Sequence, residues 1–373
     1  MITLITKACK RKSLFNRLEK NRIKIINYFN TSSVYQDEQS SKNLGLPPSS
    51  FVTNRPMKGS SSVATIKNEN IKKSVFISQS NDIFTNLALE DWLYRHFDFR
   101  THHVLLLWVN DPCVVIGRHQ NPFMEANVSE LSSQGVTIAR RNSGGGAVFH
   151  DRGNLNCTFF TPRERYNRKY NLNILTRAIF REWAIKSDIN ERDDICINQK
   201  KVSYISNSTL SVRSPIKNLC EINRNVNISQ LIAAVGYEYL RTFATELEDG
   251  GNQQIMKQLG FQLINPTEKW FPGIDNLRTE FSSWEWNYGR TPKFTVKKEL
   301  ILKDSDKEHK IILNIAVEKG IINGVTITMP NNERLPVVSS LQHKNYNESN
   351  LNKILNALKL ACTDNIMQAI NSH

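Results

Sequence analysis

The sequence lacks any long run of apolar residues. Its longest stretch, residues 104–109 (VLLLWV), falls far short of the roughly 20 residues that a membrane-spanning helix requires, so no membrane span is expected. Cysteine is also scarce: the six in 373 residues lie far apart without a C-x-x-C pair, which favours neither disulfides nor a zinc site. The composition, 39% hydrophobic and 23% charged, is typical of a folded protein in a reducing compartment.

Acidic residues are scarce only near the N-terminus. Residues 1–73 hold 14 Lys and Arg against 4 Asp and Glu, whereas the other 300 residues are almost neutral, with 35 against 31. The basic excess is not spread over the folded part, so nucleic-acid binding is not expected.

The first 30 residues contain eight basic residues and one acid among scattered apolar ones, which is typical of a mitochondrial targeting segment. A basic surface helix or a tail remains the alternative. Residues 31–73 have the turn-forming composition of a disordered linker.

Periodicity in the rest of the chain predicts alternating strands and helices, and therefore an α+β or α/β organisation. Around a glycine-rich loop at 142–146 we predict strands at 75–77, 103–109, 113–117, 136–141, 147–149 and 156–161, with a helix at 84–92. The strands at 103–109 and 113–117 are expected to form a hairpin through the turn residues between them.

Helical spacing predicts two further helices, one from 172 to 183 and one from 231 to 243 with Ser229 as its N-cap. Between them, residues 195–204 are interpreted as a strand. A smaller α+β domain is expected at the C-terminus, with strands at 294–302, 310–317 and 324–329 and a helix at 351–358.

Three consecutive glycines, at 144–146, suit a loop that wraps an anion, because each exposes its backbone N–H and tolerates positive φ. Arg140 and Arg141 just before them could add bidentate phosphate contacts. No G-K-[ST] follows and a strand rather than a helix comes next, so neither a P-loop nor a dinucleotide fingerprint is present. A flexible hairpin turn is the plain alternative.

Residues 140–154 (RRNSGGGAVFHDRGN) resemble the signature R-R-x-S-G-G-G-x-V-x-H-D-x-G-N of the lipoate–protein ligase and lipoyltransferase family. Four further segments resemble family motifs in the same order and extend the resemblance over about residues 74–373: NLALED at 86–91, VVIGRHQNP at 114–122, SVRS at 211–214 and SWEWNYG at 283–289.

The resemblance implies a mixed-sheet α+β catalytic domain of the biotin/lipoate ligase type, related to class II aminoacyl-tRNA synthetases. We assign it to residues 74–281, followed by an accessory α+β domain at 290–373. The implied reaction transfers a lipoyl group from a lipoyl-nucleotide such as lipoyl-AMP to a lysine of an acceptor lipoyl domain. ATP and Mg²⁺ are needed only if free lipoate is also activated, and no resident metal site is expected.

Family positions imply roles for particular residues. Lys201, in the sequence Lys201-Val202-Ser203, matches the lysine of the family's K-[IV]-S-G-[ST]-A motif, although the adjacent Lys200 could compete for the role. His150 is interpreted as a structural histidine in preference to a catalytic base. The nucleotide-contacting positions are Arg141, Gly146, Ala147, Val148 and Phe149, and the acyl-phosphate loop comprises Ser143, Gly144 and Gly145.

The chain departs from the family after Ser203. Only seven residues, 204–210, separate Ser203 from the SVRS segment, where the family has several dozen that include a strand beside the acyl site. A neighbouring strand is therefore expected to lack a ladder partner. The shortened chain is either an incomplete form or a variant that functions without this segment.

The resemblance thus leaves three hypotheses. The first is a monomeric lipoyltransferase of the mitochondrial matrix that acts on lipoyl domains of 2-oxo acid dehydrogenase E2 subunits and on the glycine cleavage H protein. The second is a complete ATP-dependent lipoate–protein ligase, and the third is a homologue that binds nucleotide or lipoyl domains but is catalytically impaired by the deletion.

Overall fold

The computed structural model describes residues 2–5, 71–205, 217–304, 307–328, 334–337, 342–347, 349–353 and 355. Most of the predicted targeting segment and linker, the SVRS segment and the end of the predicted C-terminal helix lie outside these residues. The chain forms two compact units, one of Met1–Gly117 with Arg141–Phe281 and one of Arg118–Arg140 with Ser282–His373.

Strands account for much of both units. In chain order they are β1 Ile2–Ile5, β2 Lys72–Ser78, β3 His102–Trp108, β4 Cys113–Ile116, β5 Thr137–Arg140, β6 Val148–His150, β7 Asn154–Phe160, β8 Asp188–Ile189, β9 Ile195–Ile197, β10 Lys200–Lys201, β11 Ser203–Ile205, β12 Gly260–Ile264, β13 Phe294–Asp304, β14 Lys307–Glu318, β15 Ile321–Thr328 and β16 Arg334–Val337.

The α-helices are mostly short. They are α1 Ile83–His96, α2 Pro122–Glu125, α3 Val128–Ser133, α4 Arg168–Trp183, α5 Leu219–Ile222, α6 Ile228–Arg241, α7 Gly251–Met256, α8 Ile274–Ser282 and α9 Trp284–Asn287. In the part of the chain that the structure describes, each helix is too short or too polar to cross a membrane.

The first unit is built on a six-stranded mixed sheet with the strand order β11-β1-β7-β3-β2-β12. The pairs β12–β2 and β2–β3 are parallel, whereas β3–β7, β7–β1 and β1–β11 are antiparallel. Every residue of β3 from Val104 to Trp108 is buried, as expected of a central strand covered on both faces. This mixed sheet with packed helices confirms the predicted α+β class.

The core of this unit lies between the sheet and two long helices, α4 and α6, which pack against each other. Both helices have their apolar residues three or four positions apart, so that one face of each is buried. Members of this core include Val75, Leu105, Leu107, Leu172, Leu175, Ile179, Leu231, Val235 and Tyr239. The predicted helices at 172–183 and 231–243 are confirmed, but the N-cap of α6 is Asn227, which accepts from the Gln230 N–H, and not Ser229.

The predicted hairpin of residues 103–109 and 113–117 is wrong, because the two strands lie in different sheets. β3 belongs to the six-stranded sheet, whereas β4 pairs with β6. The connection between them is held by the loop before α1: the Asp111 N–H donates to Asn81 O, and the Asn81 side chain donates to Val109 O. These long-range bonds direct β4 away from β3, and turn composition gives no sign of them.

Residues 195–204 form three short strands and not the single strand that was predicted. β9 and β10 are antiparallel and joined by a two-residue turn at Asn198 and Gln199, which both have positive φ, at 50° and 62°. Such a turn reverses the chain at once, so Lys201 lies opposite Cys196.

An N-terminal strand occupies an unexpected place in the sheet. β1, which lies within the predicted targeting segment, is paired with β7 on one side and with β11 on the other. The expectation that a strand beside the shortened segment lacks a ladder partner is therefore wrong for β7, because β3 and β1 flank it. Residues far away in the sequence supply that partner.

The second unit contains an antiparallel sheet, β13-β14-β15-β16, whose strands follow in chain order. Alternate residues of β14 are buried, which is the period of a sheet with one covered face. The core of this unit comprises Ile311, Leu313, Ile315, Val317, Ile322, Val325, Ile327 and Leu351. The strands predicted at 294–302, 310–317 and 324–329 are confirmed as β13, β14 and β15.

Candidate functional site

The glycine loop is organised by a buried arginine. The Arg141 guanidinium is 2% exposed and donates to Gly144 O at 2.7 Å, to Gly146 O at 2.8 Å and to Val115 O at 3.1 Å. Burial lowers the pKa of Arg141 to about 10, and the Glu90 carboxylate opposes this shift, so the side chain stays charged at neutral pH. The guanidinium therefore holds the loop by its carbonyl oxygens, and a direct contact of Arg141 with a nucleotide stays a prediction.

This arrangement fixes the direction of the loop N–H groups. In a trans peptide the N–H points opposite to the C=O of the same plane. Because Arg141 binds the carbonyls of Gly144 and Gly146, the N–H groups of Gly145 and Ala147 point away from the guanidinium. Both residues are partly exposed. The loop can thus offer two preorganised donors to an anion such as an acyl-phosphate.

Close packing fixes the loop from its other side. A Cβ on Gly117 would lie 2.0 Å from Gly145 O, so only glycine fits at position 117. Gly145 has φ of +94°, a conformation that residues with a Cβ rarely adopt. The three-glycine sequence predicted a permissive loop, but the role of Gly117 depends on a contact that only the folded chain makes.

The start of the loop is attached to α1. Asn142 Nδ2 donates to Asp91 Oδ1 at 2.9 Å, and Asp91 also pairs with Arg95. One residue earlier in α1, Glu90 accepts from the Thr158 hydroxyl on β7. The first helix therefore positions the loop, a function that sequence reasoning missed because the NLALED segment carries no signal of a long-range partner.

Arg140 has a different function from Arg141. It is fully buried in the second unit, where its guanidinium donates to the carbonyls of Arg118, Gln120, Trp286 and Asn287 and to the Thr291 hydroxyl. All five of its N–H groups are therefore used within the protein. The hypothesis that Arg140 contacts phosphate is wrong, since burial and carbonyl partners make it a structural residue.

Lys201 lies on β10 and is paired with Asp194. The distance from Lys201 Nζ to Asp194 Oδ1 is 2.7 Å, and both side chains are largely buried, at 15% and 8% exposure. The backbone N–H of Asp194 donates to Asn190 Oδ1, which fixes the turn that carries the carboxylate. Lys200, the competing candidate, is exposed. Asp194 was not singled out from the sequence, because the β9–β10 hairpin brings it to Lys201.

The other predicted site residues lie along the loop and β6. Ser143, Gly144, Gly146, Val148 and Phe149 are all partly exposed. β6 pairs with β4, and Phe149 O accepts from the Asn154 side chain. The structure thus brings Arg141 and the glycines together, while Lys201 lies in the small antiparallel sheet β10-β9-β8.

His150 is fully buried at the end of β6. Asn110 Oδ1 accepts from Asn86, so Asn110 Nδ2 is the donor to His150 Nδ1 at 2.9 Å, and the proton of the neutral ring is on Nε2. Nε2 has no hydrogen-bond partner among the described residues. Burial and the charge of Arg141 lower the pKa of His150 to about 3, so this ring is a poor base, in agreement with a structural role.

The lowered pKa predicts a pH dependence of folding. Between pH 6.5 and about 3 the unfolded chain binds a proton at His150 that the folded chain does not, so the free energy of unfolding falls as the pH falls. The contribution is about 1.4 kcal/mol per pH unit. We expect His150→Asn, which keeps an acceptor for Asn110, to reduce the slope between pH 6 and 4 by about this amount in urea unfolding. Exposed His119→Asn is the control, and equal slopes for the wild type and His150→Asn would contradict the prediction.

The described residues provide neither a cluster of metal ligands nor an activated cysteine. No group of three or more His, Cys, Asp or Glu is placed to hold a metal ion in that part of the chain. Cys113 and Cys157 are buried, and burial raises the pKa of both thiols, so neither is an activated nucleophile. The candidate groups among the described residues are therefore the backbone donors of the loop with Arg141 and, on β10, Lys201.

Comparisons with known proteins find one family model and several relatives. Residues 82–209 match the family model of the lipoyl protein ligase A/B catalytic domain. The chain is 34% identical over 295 residues to the mitochondrial lipoyl amidotransferase LIPT1 of Homo sapiens, covering 67% of this chain and 74% of the relative. It is 29% identical over 261 residues to lipoate-protein ligase A of Psychrobacter cryohalolentis, covering 60% and 75%.

A solved structure of P. falciparum LipL1 in complex with lipoate has a TM-score of 0.48 and 24% identity, covering 68% of this chain and 84% of that one. The alignment to human LIPT1 also bears on chain length. The alignment has 295 positions, but it covers only 67% of the 373 residues of this chain, which is fewer than 295 residues. Several dozen positions of the alignment therefore contain no residue of this chain.

Proposed function

Because this chain belongs to the lipoyl protein ligase A/B family, whose members are enzymes of protein lipoylation, we propose that it transfers a lipoyl group from a lipoyl-nucleotide to a lysine of an acceptor lipoyl domain. The observation that carries this proposal is the buried Arg141, which turns the Gly145 and Ala147 N–H groups outward. A loop of this kind suits an acyl-phosphate anion.

The reaction needs no nucleophile from the enzyme. The neutral ε-amine of the acceptor lysine attacks the acyl carbon, the bond from that carbon to the phosphate oxygen breaks, and the nucleoside monophosphate leaves with its electron pair. The amine loses a proton to solvent as the amide forms. Lys201 would offset the charge that develops on the carbonyl oxygen and the phosphate, while the loop N–H groups hold the phosphate in place.

Asp194 supports this role of Lys201. A buried carboxylate 2.7 Å from the ammonium restricts its rotamers. Lys201 is thus held in one place before substrate binds, which reduces the reorganisation needed in the transition state.

A transfer assay tests the function. Purified protein is incubated with an acceptor lipoyl domain and either radiolabelled lipoyl-AMP or labelled lipoate with ATP and Mg²⁺; the control is an acceptor whose target lysine is replaced by arginine. We expect the acceptor to be labelled when lipoyl-AMP is supplied and to stay unlabelled when lipoate, ATP and Mg²⁺ are supplied. Label from lipoate and ATP as well would identify a complete ligase, and binding of lipoyl-AMP without transfer would identify an impaired homologue.

The proposed acceptors are the lipoyl domains of 2-oxo acid dehydrogenase E2 subunits and the glycine cleavage H protein, reached by a monomer in the mitochondrial matrix. The basic, acid-poor N-terminus and the mitochondrial relatives support this location. A fusion of residues 1–73 to a fluorescent reporter is expected to enter mitochondria. Uniform cytosolic fluorescence would contradict the proposal.

Loss of the Arg141 side chain is expected to weaken nucleotide binding. In Arg141→Ala the carbonyls of Gly144 and Gly146 lose their donor, so the loop N–H groups are no longer held outward. A charged hydrogen-bonding group contributes about 1.5–3 kcal/mol, so the Kd for lipoyl-AMP should rise about 10- to 100-fold. Arg152→Ala is the matched control, because Arg152 is an exposed arginine nearby that pairs with Asp111. Equal affinities for both variants in calorimetry would reject the assignment.

A further inference from the structure

The helix α9 holds the backbone of Arg140 at two atoms. Asn287 Oδ1 accepts from the Arg140 N–H at 2.7 Å, and Trp286 Nε1 donates to Arg140 O at 2.7 Å. Trp286 and Asn287 are both buried, and Asn287 is itself fixed because its Nδ2 donates to Ser283 O, one turn earlier. Water does not compete for these bonds, so Arg140 is kept in one backbone conformation.

The carbonyl that Trp286 holds belongs to the peptide unit that begins Arg141. In a trans peptide the C=O of one residue and the N–H of the next point in opposite directions. Arg140 O accepts from the indole, and on the other side of the same unit the Arg141 N–H donates to Ile116 O at 3.1 Å. The orientation of this peptide unit sets the angle at which the Arg141 side chain leaves the backbone towards the loop carbonyls.

The Arg140 side chain holds a second part of the chain that supports the glycine loop. Arg140 Nη1 donates to Arg118 O at 2.9 Å and to Gln120 O at 2.7 Å. Arg118 follows Gly117 directly, and the backbone of Gly117 lies against Gly145 O. Arg140 therefore fixes the chain just after Gly117 as well as the peptide unit described above.

Arg141 also has bonds of its own, to Val115 O and to the loop carbonyls, so the loop does not depend on α9 for its attachment. The bonds from α9 add direction, because they limit rotation of the peptide unit from which the guanidinium extends. A small rotation of that unit would move the guanidinium, and with it the Gly145 and Ala147 N–H groups, while the loop stays bound. The expected effect of α9 is thus on the orientation of the donors, where small displacements matter.

We propose that Trp286 and Asn287 are positioning residues for the glycine loop, which act through Arg140 and do not touch the nucleotide. By fixing Arg140 they orient the peptide unit that begins Arg141 and hold the chain that follows Gly117. The inference rests on the proposed role of the loop in binding the acyl-phosphate of lipoyl-AMP. It gives a function to the SWEWNYG segment, which lies far from the loop in the sequence.

Substitutions in α9 of the full chain test the proposal. Trp286→Phe removes the indole N–H and keeps an aromatic ring beneath the Arg290 guanidinium, which lies 3.6 Å from the Trp286 ring centre. Asn287→Leu removes the acceptor of the Arg140 N–H, whereas Asn287→Asp retains one. Trp284→Phe is the matched control, because it replaces another indole of the same helix and leaves the bonds to Arg140 in place.

Two measurements are made on each variant: the Kd for lipoyl-AMP by calorimetry, and hydrogen exchange of the Arg141 backbone N–H and Nε–H by NMR with isotope-labelled arginine. The Nε–H donates to Gly144 O at 3.1 Å, so its exchange reports on the loop without any nucleotide. In Trp286→Phe and Asn287→Leu we expect both exchange rates and the Kd to rise about 3- to 10-fold, the effect of one lost hydrogen bond. Asn287→Asp and Trp284→Phe should remain close to the wild type in both measurements.

Wild-type exchange at Arg141 in both Trp286→Phe and Asn287→Leu would overturn the proposal, because the peptide unit would then be oriented without α9. Faster exchange with an unchanged Kd would overturn it too, since the orientation of Arg141 would not affect the nucleotide. An equal rise of the Kd in Trp284→Phe would show a general weakening of the helix in place of positioning. If the wild type binds no lipoyl-AMP, the proposed function fails, while exchange at Arg141 still decides whether α9 positions the loop.

Discussion

Replacing Lys201 with alanine is expected to slow lipoyl transfer by about 100- to 1,000-fold, the range found when one preorganised donor to a developing negative charge is removed. The ammonium is nearly buried and is held by Asp194 at 2.7 Å, so a water molecule would not supply the same fixed charge. The effect should fall mainly on kcat, because the contact strengthens as charge develops in the transition state.

The neighbouring lysine provides the control. Lys200 lies on the same short strand, carries the same charge and is exposed, so Lys200→Ala should retain the wild-type rate. Single-turnover transfer from lipoyl-AMP to an acceptor lipoyl domain measures both variants. A larger loss of rate in Lys200→Ala than in Lys201→Ala would show that the role belongs to Lys200. Small and equal losses in both variants would show that neither lysine takes part in the reaction.

Replacing Gly117 with alanine is expected to reduce transfer by about 100-fold, since a displacement of about 1 Å in a reacting group can have an effect of this size. The new Cβ would lie 2.0 Å from Gly145 O, and distances under 3.0 Å are essentially never seen for real Cβ atoms. The glycine loop must therefore move by about 1 Å, and the two N–H donors move with it.

Gly324→Ala is the control for an added methyl group, because nothing lies within 4 Å of a Cβ at that position. Both variants are compared in the transfer assay and in thermal unfolding. We expect Gly117→Ala to lose activity while Gly324→Ala behaves like the wild type. Wild-type activity in Gly117→Ala would show that the loop is not held where the structure places it.

The shortened segment after Ser203 has a different consequence from the one that the sequence suggested. A missing strand was expected to leave unpaired backbone groups in a neighbouring strand. In the structure β7 is paired on both sides, because residues 2–5 lie beside it. The shortening therefore leaves β7 with a ladder partner on each side.

Local pattern sufficed for most elements of the first unit. The strands β2, β6 and β7 and the helices α1, α4 and α6 follow from apolar periodicity, because each buries one face or one strip of side chains. Two of the errors, the hairpin at 103–117 and the single strand at 195–204, concern how strands connect. Connection depends on distant hydrogen bonds and on residues with positive φ, and hydrophobic spacing does not report these.

The sequence by itself determined the family, the α+β class and the glycine loop, because the motif from Arg140 to Asn154 is contiguous and its spacing is specific. Only the tertiary structure decided what each of the two adjacent arginines contacts: Arg141 binds the loop carbonyls, whereas Arg140 is buried among carbonyls of the second unit. It also paired Lys201, which the motif already favoured over Lys200, with Asp194, and it placed residues 2–5 between β7 and β11. Burial and sheet partners arise from contacts between residues far apart in the chain, so identical neighbouring side chains acquire different roles only when the chain folds.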